Sequence, residues 1–414
     1  MGPVADRRAG GPGPFARLGR AYRAAALMTL NAILLFAAAN LAAVALLRTR
    51  WLAEPEPGPL GYGAETLTAL YPGRSAAEVR ALLRETWDLH YRYEPFTQFR
   101  EGAARGRYVT IDPAGFRLGG RPAPWPPPDA ARSVFVFGGS TTFGYGLADA
   151  ETIPAALADQ LDREPACRDR VLVYNFGRSN YFSSQERALF ERLLVDGHRP
   201  DAAIFIDGLN EFGYPEGEPK FSARLRYLMT ESDVQLGRRA LSSLPVARMA
   251  KAWLERVAGS RPAERAGHPD DEADRIVSRW LRNREIVGAV AAARGVAGLF
   301  VWQPVPVFGY DLSAHPLWDG EGDLLEDQAR IAAGYAALDD LRRSGDPRLS
   351  EPDFLWLADV QRARHERLYV DRVHYSAEMS REIAGLIRPW VVERLCTGSP
   401  AGGGQPEGGP ETRP

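Results

Sequence analysis

From residue 133 onward, short apolar runs alternate with longer amphipathic stretches. Ser133 to Phe137, Val171 to Phe176, Ala202 to Ile206 and Gly298 to Trp302 are apolar runs that stop at Gly, Asp or Gln, and Phe354 to Leu357 is a shorter run of the same kind. Runs of this length bounded by turn residues predict buried strands. Between them lie helical patterns. One begins near Thr152 to Pro154, since proline is tolerated in a first turn. A second opens at Ser183 with Glu186 three residues on, a capping-box pattern, carries Leu189, Leu193 and Leu194 on one face, and closes at Gly197. A third spans about Ile276 to Arg294 before Gly295, and the last starts after Ser376 and runs, with a kink at Pro389, toward Leu395. This alternation predicts a parallel sheet flanked by helices.

The N-terminal pattern is different. Ala24 to Leu47 is interrupted only by Thr29, Asn31 and Asn40, long enough for one transmembrane helix. Arg7, Arg8, Arg17, Arg20 and Arg23 precede it against Asp6 alone, which places the N-terminus in the cytoplasm and the rest of the chain outside a single-pass inner membrane. Ala43-Val44-Ala45 has the small-residue spacing of a cleaved signal peptide, but the apolar stretch exceeds the usual length, so an uncleaved anchor is expected. The chain then divides into a basic segment 1–23, a span 24–47, a linker and extension 48–130, an α/β domain 131–396 and a Gly/Pro-rich disordered tail 397–414. The extension holds a stiff linker at Glu54 to Pro59, a helix at Ala76 to Leu89 and an extended piece at Tyr108 to Ile111, and ends in Pro-rich sequence at Pro122 to Pro128. Residues 212–274 break the rhythm of the α/β domain and are read as an insertion or a lid.

Charge and cysteine content narrow the partners. A net charge of -2 with no aromatic-interleaved basic stripe excludes a nucleic-acid partner. Cys167 and Cys396 have no metal-ligand spacing and are read as two buried free thiols, with pairing outside the cytoplasm as the alternative. No metal or organic cofactor is implied. A P-loop is ruled out because no Lys-Ser/Thr follows the glycines after the first strand.

Those glycines lead into the candidate chemistry. Gly138-Gly139-Ser140-Thr141-Thr142-Phe143-Gly144 sets a serine at a strand end, where glycines let backbone N–H groups approach a ligand. A serine becomes a nucleophile when an imidazole takes its proton and a carboxylate fixes the imidazole. His374, in Asp371-Arg372-Val373-His374 before the last helix, is the candidate base, with Asp371 as its orienting acid. His198, His268, His315 and His365 fall in polar stretches expected at the surface, and His90 is upstream of the sheet. The N–H groups of Ser140 and Gly177 and the side-chain amide of Asn210 lie just past three strand ends, where an oxyanion hole would gather. Gln303 and Tyr145 are candidate substrate contacts; Trp302, Phe143 and Tyr145 are candidate sugar-stacking rings or core.

These blocks resemble the SGNH, or GDSL-like, hydrolases. Gly138-Gly139-Ser140 matches their first block, with Gly139 where aspartate is usual; Asn175-Phe176-Gly177 matches the second; Gly208-Leu209-Asn210-Glu211 the third, with Glu211 where aspartate is usual; and Asp371 to His374 the last. The resemblance runs from about Ser133 to Leu395, apart from the insertion. It implies a three-layer α/β/α sandwich with a central parallel sheet, flavodoxin-like, with Ser140, His374 and Asp371 as the triad and Ser140, Gly177 and Asn210 as the oxyanion hole. The membrane-anchored Gly-Gly-Ser-Thr-Thr type looks like bacterial members linked to cell-surface glycans. An α/β-hydrolase elbow would need glycine at Thr142.

The expected activity is therefore a membrane-anchored serine esterase removing acyl groups, O-acetyl foremost, from an extracytoplasmic carbohydrate. An O-acyltransferase working through the same acyl-enzyme is the alternative. A non-catalytic anchored protein that binds glycan or an assembly partner is the other.

Overall fold

The computed structural model describes residues 14–47, 58–121, 123–230, 241–258, 269–318, 320–325, 327–350 and 352–397. The first thirteen residues, most of the linker at 54–59, parts of 212–274, His268 and the tail after Thr397 lie outside them. The chain forms two compact units, residues 1–55 with 224–265, and residues 56–223 with 266–414.

In the first unit, helix α1 (Pro14–Leu47) contains the expected span and extends ten residues before it. Its apolar segment has a mean hydropathy of 2.0 over its best window, of which 6% is buried. Such a helix suits a membrane span or a signal sequence equally. Ala43 near its end is buried, and Asn40 Oδ1 accepts the Val246 N–H at 3.4 Å. Part of the 212–274 insertion, the helix Pro245–Ala258, thus belongs with α1.

The second unit is built on a sheet of five strands: β1 (Arg132–Gly138), β2 (Val171–Asn175), β3 (Ala202–Asp207), β4 (Ala297–Trp302) and β5 (Phe354–Trp356). All pair in parallel, in the order β2-β1-β3-β4-β5. The period-2 pattern sorts residues by face. Phe135, Phe137, Phe205, Phe300 and Trp302 pack on one side, and Val134, Val136, Ile204, Ile206, Leu299 and Val301 on the other. Phe137, Phe205 and Phe300 stack across three strands, with ring centroids 4.8 and 5.4 Å apart.

Helices cover both faces. α2 (Ala76–Trp87) and α3 (Ser140–Phe143) precede the first covering helix, α4 (Ile153–Arg163). α5 (Ser183–Val195), α7 (Pro269–Ala293) and α8 (Gln328–Arg343) pack on the aromatic face, and α4 with α9 (Ala377–Val391) on the aliphatic face. α6 (Leu209–Gly213) is a short turn after β3. The result is the expected three-layer α/β/α sandwich.

Two local expectations are corrected. Cys167 and Cys396 are not free thiols but form a disulfide, brought together by the packing of α4 against α9. Ser183 does not cap α5: Phe182 is the N-cap residue, the Ser183 N–H is donated to Glu211 Oε1 at 2.6 Å, and Glu186 is buried rather than folded back on the helix end. The final helix contains Pro389, ends at Val391 and is continued by a wide π turn, Val392–Cys396.

The extension folds with the sheet. Ser75 and Glu78 form a capping box on α2, and the Glu85 carboxylate accepts the N–H groups of Arg107, Tyr108 and Val109. Arg117 bridges to Asn175 at the edge of β2. Its buried guanidinium donates to the carbonyls of Phe143, Gly144 and Leu147 and to Asp149, which fixes the loop after α3.

Candidate active site

β1 ends in glycines, and Ser140 opens α3 immediately beyond. Ser140 Oγ lies 2.9 Å from His374 Nε2, and His374 Nδ1 lies 2.7 Å from Asp371 Oδ2. Asp371 Oδ1 accepts the main-chain N–H groups of Val373 and His374, at 2.9 and 2.8 Å. Both carboxylate oxygens are therefore occupied by donors from its own turn, which fixes the side chain without help from distant elements. Burial would raise the Asp371 pKa, but His374 and these N–H donors together hold it below the usual aspartate range. An ionised Asp371 places the imidazole proton on Nδ1 and leaves the Nε2 lone pair facing the serine hydroxyl.

Two aromatic rings hold the imidazole. Tyr145 stacks on His374 at 5.6 Å with planes 24° apart, and Trp87 meets it edge-on at 5.8 Å. Trp87 comes from α2 in the extension, and nothing in its local sequence points to the site. Tyr145, expected to touch substrate, is instead buried against His374, Trp87 and Phe143. Phe143 and Trp302 are core residues, and Gln303 is buried with its Oε1 accepting the Thr141 hydroxyl at 2.8 Å. None of these four offers a free face to a sugar.

The three oxyanion candidates converge at adjacent strand ends, but they are not equivalent. Asn210 Nδ2 donates one proton to the Tyr181 carbonyl at 2.7 Å and keeps a second N–H. The Gly177 N–H is turned onto Asn175 Oδ1 at 2.9 Å, closing an Asx turn. Asn175 Nδ2 in turn bonds the carbonyls of Thr142 and Phe143, tying β2 to α3. The Gly177 donor is thus engaged, which leaves the Ser140 N–H and Asn210 as the pair available to a ligand oxygen. Gly177 is needed for a different reason: a Cβ there would sit 2.4 Å from the Phe143 nitrogen.

His315, expected at the surface, is buried. Its Nδ1 accepts the Leu317 N–H at 3.3 Å, and burial, outweighing nearby Asp371, lowers its pKa to about 4. Of the other histidines described, His90 and His365 are exposed, and His198 packs on Trp125. The Glu211 departure also has a structural account: its carboxylate reaches the start of α5 through the Ser183 N–H and lies 3.6 Å from Arg279.

No family model and no curated protein matches this sequence. Among solved structures, a lipase from a goat rumen metagenome is 12% identical, with 63% of this chain and 97% of that one covered and a TM-score of 0.36. An acetyl xylan esterase is 13% identical over 63% of this chain and 99% of its own, with a TM-score of 0.35. A member of the lipolytic G-D-S-L family from Veillonella parvula is 10% identical over 64% of this chain and all of its own, with a TM-score of 0.32. In this chain itself, the strand-end blocks quoted from the sequence meet in one place around Ser140.

Proposed function

We propose that this protein is a membrane-anchored serine esterase that cleaves an acyl ester, O-acetyl foremost, on a carbohydrate outside the cytoplasm. The observation that carries the esterase reading is the continuous chain from Ser140 Oγ through His374 to Asp371, with contacts of 2.9 and 2.7 Å. In this reading Ser140 Oγ attacks the acyl carbon while His374 Nε2 takes its proton. The Ser140 N–H and the Asn210 amide receive the oxyanion. Collapse expels the sugar oxygen, which takes the proton back from His374, and the acyl group remains on Ser140. Water, deprotonated by His374, then releases the carboxylic acid and restores the serine.

Two further observations support the placement. α1 is long and apolar enough to cross a bilayer, and Arg17, Arg20 and Arg23 lie toward its N-terminal end. The Cys167–Cys396 disulfide suits an oxidising compartment. The carbohydrate substrate rests on the resemblance to glycan-linked members.

The test is turnover of an aryl acetate by the purified full chain beside Ser140→Ala and His374→Ala. Both variants are expected to lose at least about a hundredfold in kcat/KM. Equal rates in all three proteins, or no turnover by the parent, would remove the esterase reading. With an acetylated oligosaccharide, acetate release marks hydrolysis, and acetyl found on a second sugar marks transfer.

A further inference from the structure

Behind the oxyanion turn lie three carboxyl groups that the reaction above does not use. Glu186 on α5, Asp207 at the end of β3 and Glu211 on α6 are 1%, 5% and 0% exposed. With Gly139, Asn210 and Gln303 they line a cavity of about 10 Å³, room for no more than one water. Bulk solvent cannot stabilise three charges there.

Their partners are unequally shared. Glu211 has the Ser183 N–H and the Arg279 guanidinium of α7. Asp207 Oδ2 accepts the indole N–H of Trp280, also on α7, at 2.9 Å. Asp207 Oδ1 and both oxygens of Glu186 are buried with no hydrogen-bond donor facing them. Yet Glu186 and Asp207 line the same small cavity, and two ionised carboxylates there would have no proton to share between them. The remaining polar groups nearby are neutral: Asn283 on α7 bonds Ser183 Oγ, and Tyr335 on α8 donates to the Gln303 carbonyl. Among the described residues, Arg279 is the cation paired with this cluster, and it lies at Glu211.

We infer that Glu186 is kept as a neutral acid whose proton bridges to Asp207, and that this bridge positions the Asp207-Gly208-Leu209-Asn210 turn and so the Asn210 amide. Glu186 is then a positioning residue, acting through Asn210, and the inference rests on the oxyanion role proposed for that amide. The electrostatics agree. Burial, then the neighbouring Asp207 and Glu211 charges, push the Glu186 pKa well up, and burial with Glu211 brings Asp207 to about 7. Removing the shared proton at alkaline pH sets two unpaired charges against each other behind the turn.

Glu186→Gln supplies an N–H to an ionised Asp207 and removes the titrating proton. Its kcat/KM at pH 7 should stay within about twofold of the parent, while the alkaline decline moves to higher pH. Glu186→Ala, lacking the donor, should lose about tenfold in kcat with a smaller change in KM. A structural role alone would not give rescue by Gln together with a shifted profile. Infrared difference spectra of the full chain read the proton directly: a protonated carboxyl band at pH 7 should vanish in Glu186→Gln and also in Asp207→Asn. A parent without that band, a band surviving in both variants, or an unchanged pH profile in an active Glu186→Gln would overturn the inference. The infrared measurement needs no turnover, so failure of the esterase reading and failure of the shared proton are told apart.

Discussion

A Cβ on Gly139 would lie 2.2 Å from Asn210 Nδ2. The backbone at Gly139, with φ −81°, suits any residue, so what a Cβ here would disturb is the position of the Asn210 side chain. The missing Cβ lets the Asn210 amide close on the strand end beside Ser140. Gly139→Ala should displace that amide and lower kcat by about a hundredfold or more, the cost of losing one oxyanion donor. Asn210→Ala should lose a similar factor, and the double variant little more than either single one. Steady-state kinetics on an aryl acetate checks all three; additive losses would place the effect of Gly139→Ala elsewhere.

Asp371→Asn makes a second test. The amide can still accept the Val373 and His374 N–H groups through its oxygen, so the turn should hold. It cannot hold the proton on His374 Nδ1 through an anionic acceptor, and an amide N–H pointed at that nitrogen favours the wrong tautomer. By the behaviour of such triads, kcat should fall by about ten-thousandfold with little loss of stability. Thermal unfolding beside kinetics separates the two.

Much of the fold could be read because its signals are local. Each strand end was marked by its own apolar run and turn residue, and the observed strands β1 to β4 differ from the expected ones by at most one residue at each end. Ser140, Asn210 and the Asp371–His374 turn could be located for the same reason. What stayed hidden depends on distance or on burial that composition misreports. The cysteines are 229 residues apart and meet only because two helices pack side by side. Glu186 stands in Ser183-Ser184-Gln185-Glu186, a polar string that reads as a solvated helix start, yet it is buried and lines one small cavity with Asp207. Gly177 was assigned from its position after a strand, and only the structure shows its N–H given to Asn175.

The wall behind His374 predicts a split between size and chemistry at Trp87. Its indole nitrogen is buried without an acceptor, so Trp87→Phe loses no hydrogen bond and keeps an aromatic edge near the imidazole. That variant should retain kcat within about threefold. Trp87→Ala opens space beside both Tyr145 and His374; a stability loss of about 3 kcal/mol and a roughly tenfold fall in kcat are expected. Urea unfolding with kinetics on the folded fraction tests this, and an equal kcat for Ala and wild type would show that the wall does not orient the base.

His315 sets an acid limit on stability. Folded, it titrates at about 4; unfolded, its pKa returns to the ordinary value of 6.5. Between those values the unfolded chain binds more protons, so this group makes stability fall as pH drops from 6.5 toward 4 and has no such effect above pH 7. The size is on the order of 3 kcal/mol, set by the gap between the two pKa values. His315→Gln can still accept the Leu317 N–H but carries no titrating nitrogen. Its stability should fall less than the parent's over that window, whatever its offset at pH 7. Chemical unfolding at half-unit steps from pH 7 to 4.5 reads the slope, and parallel curves for the two proteins would assign the acid sensitivity to other groups.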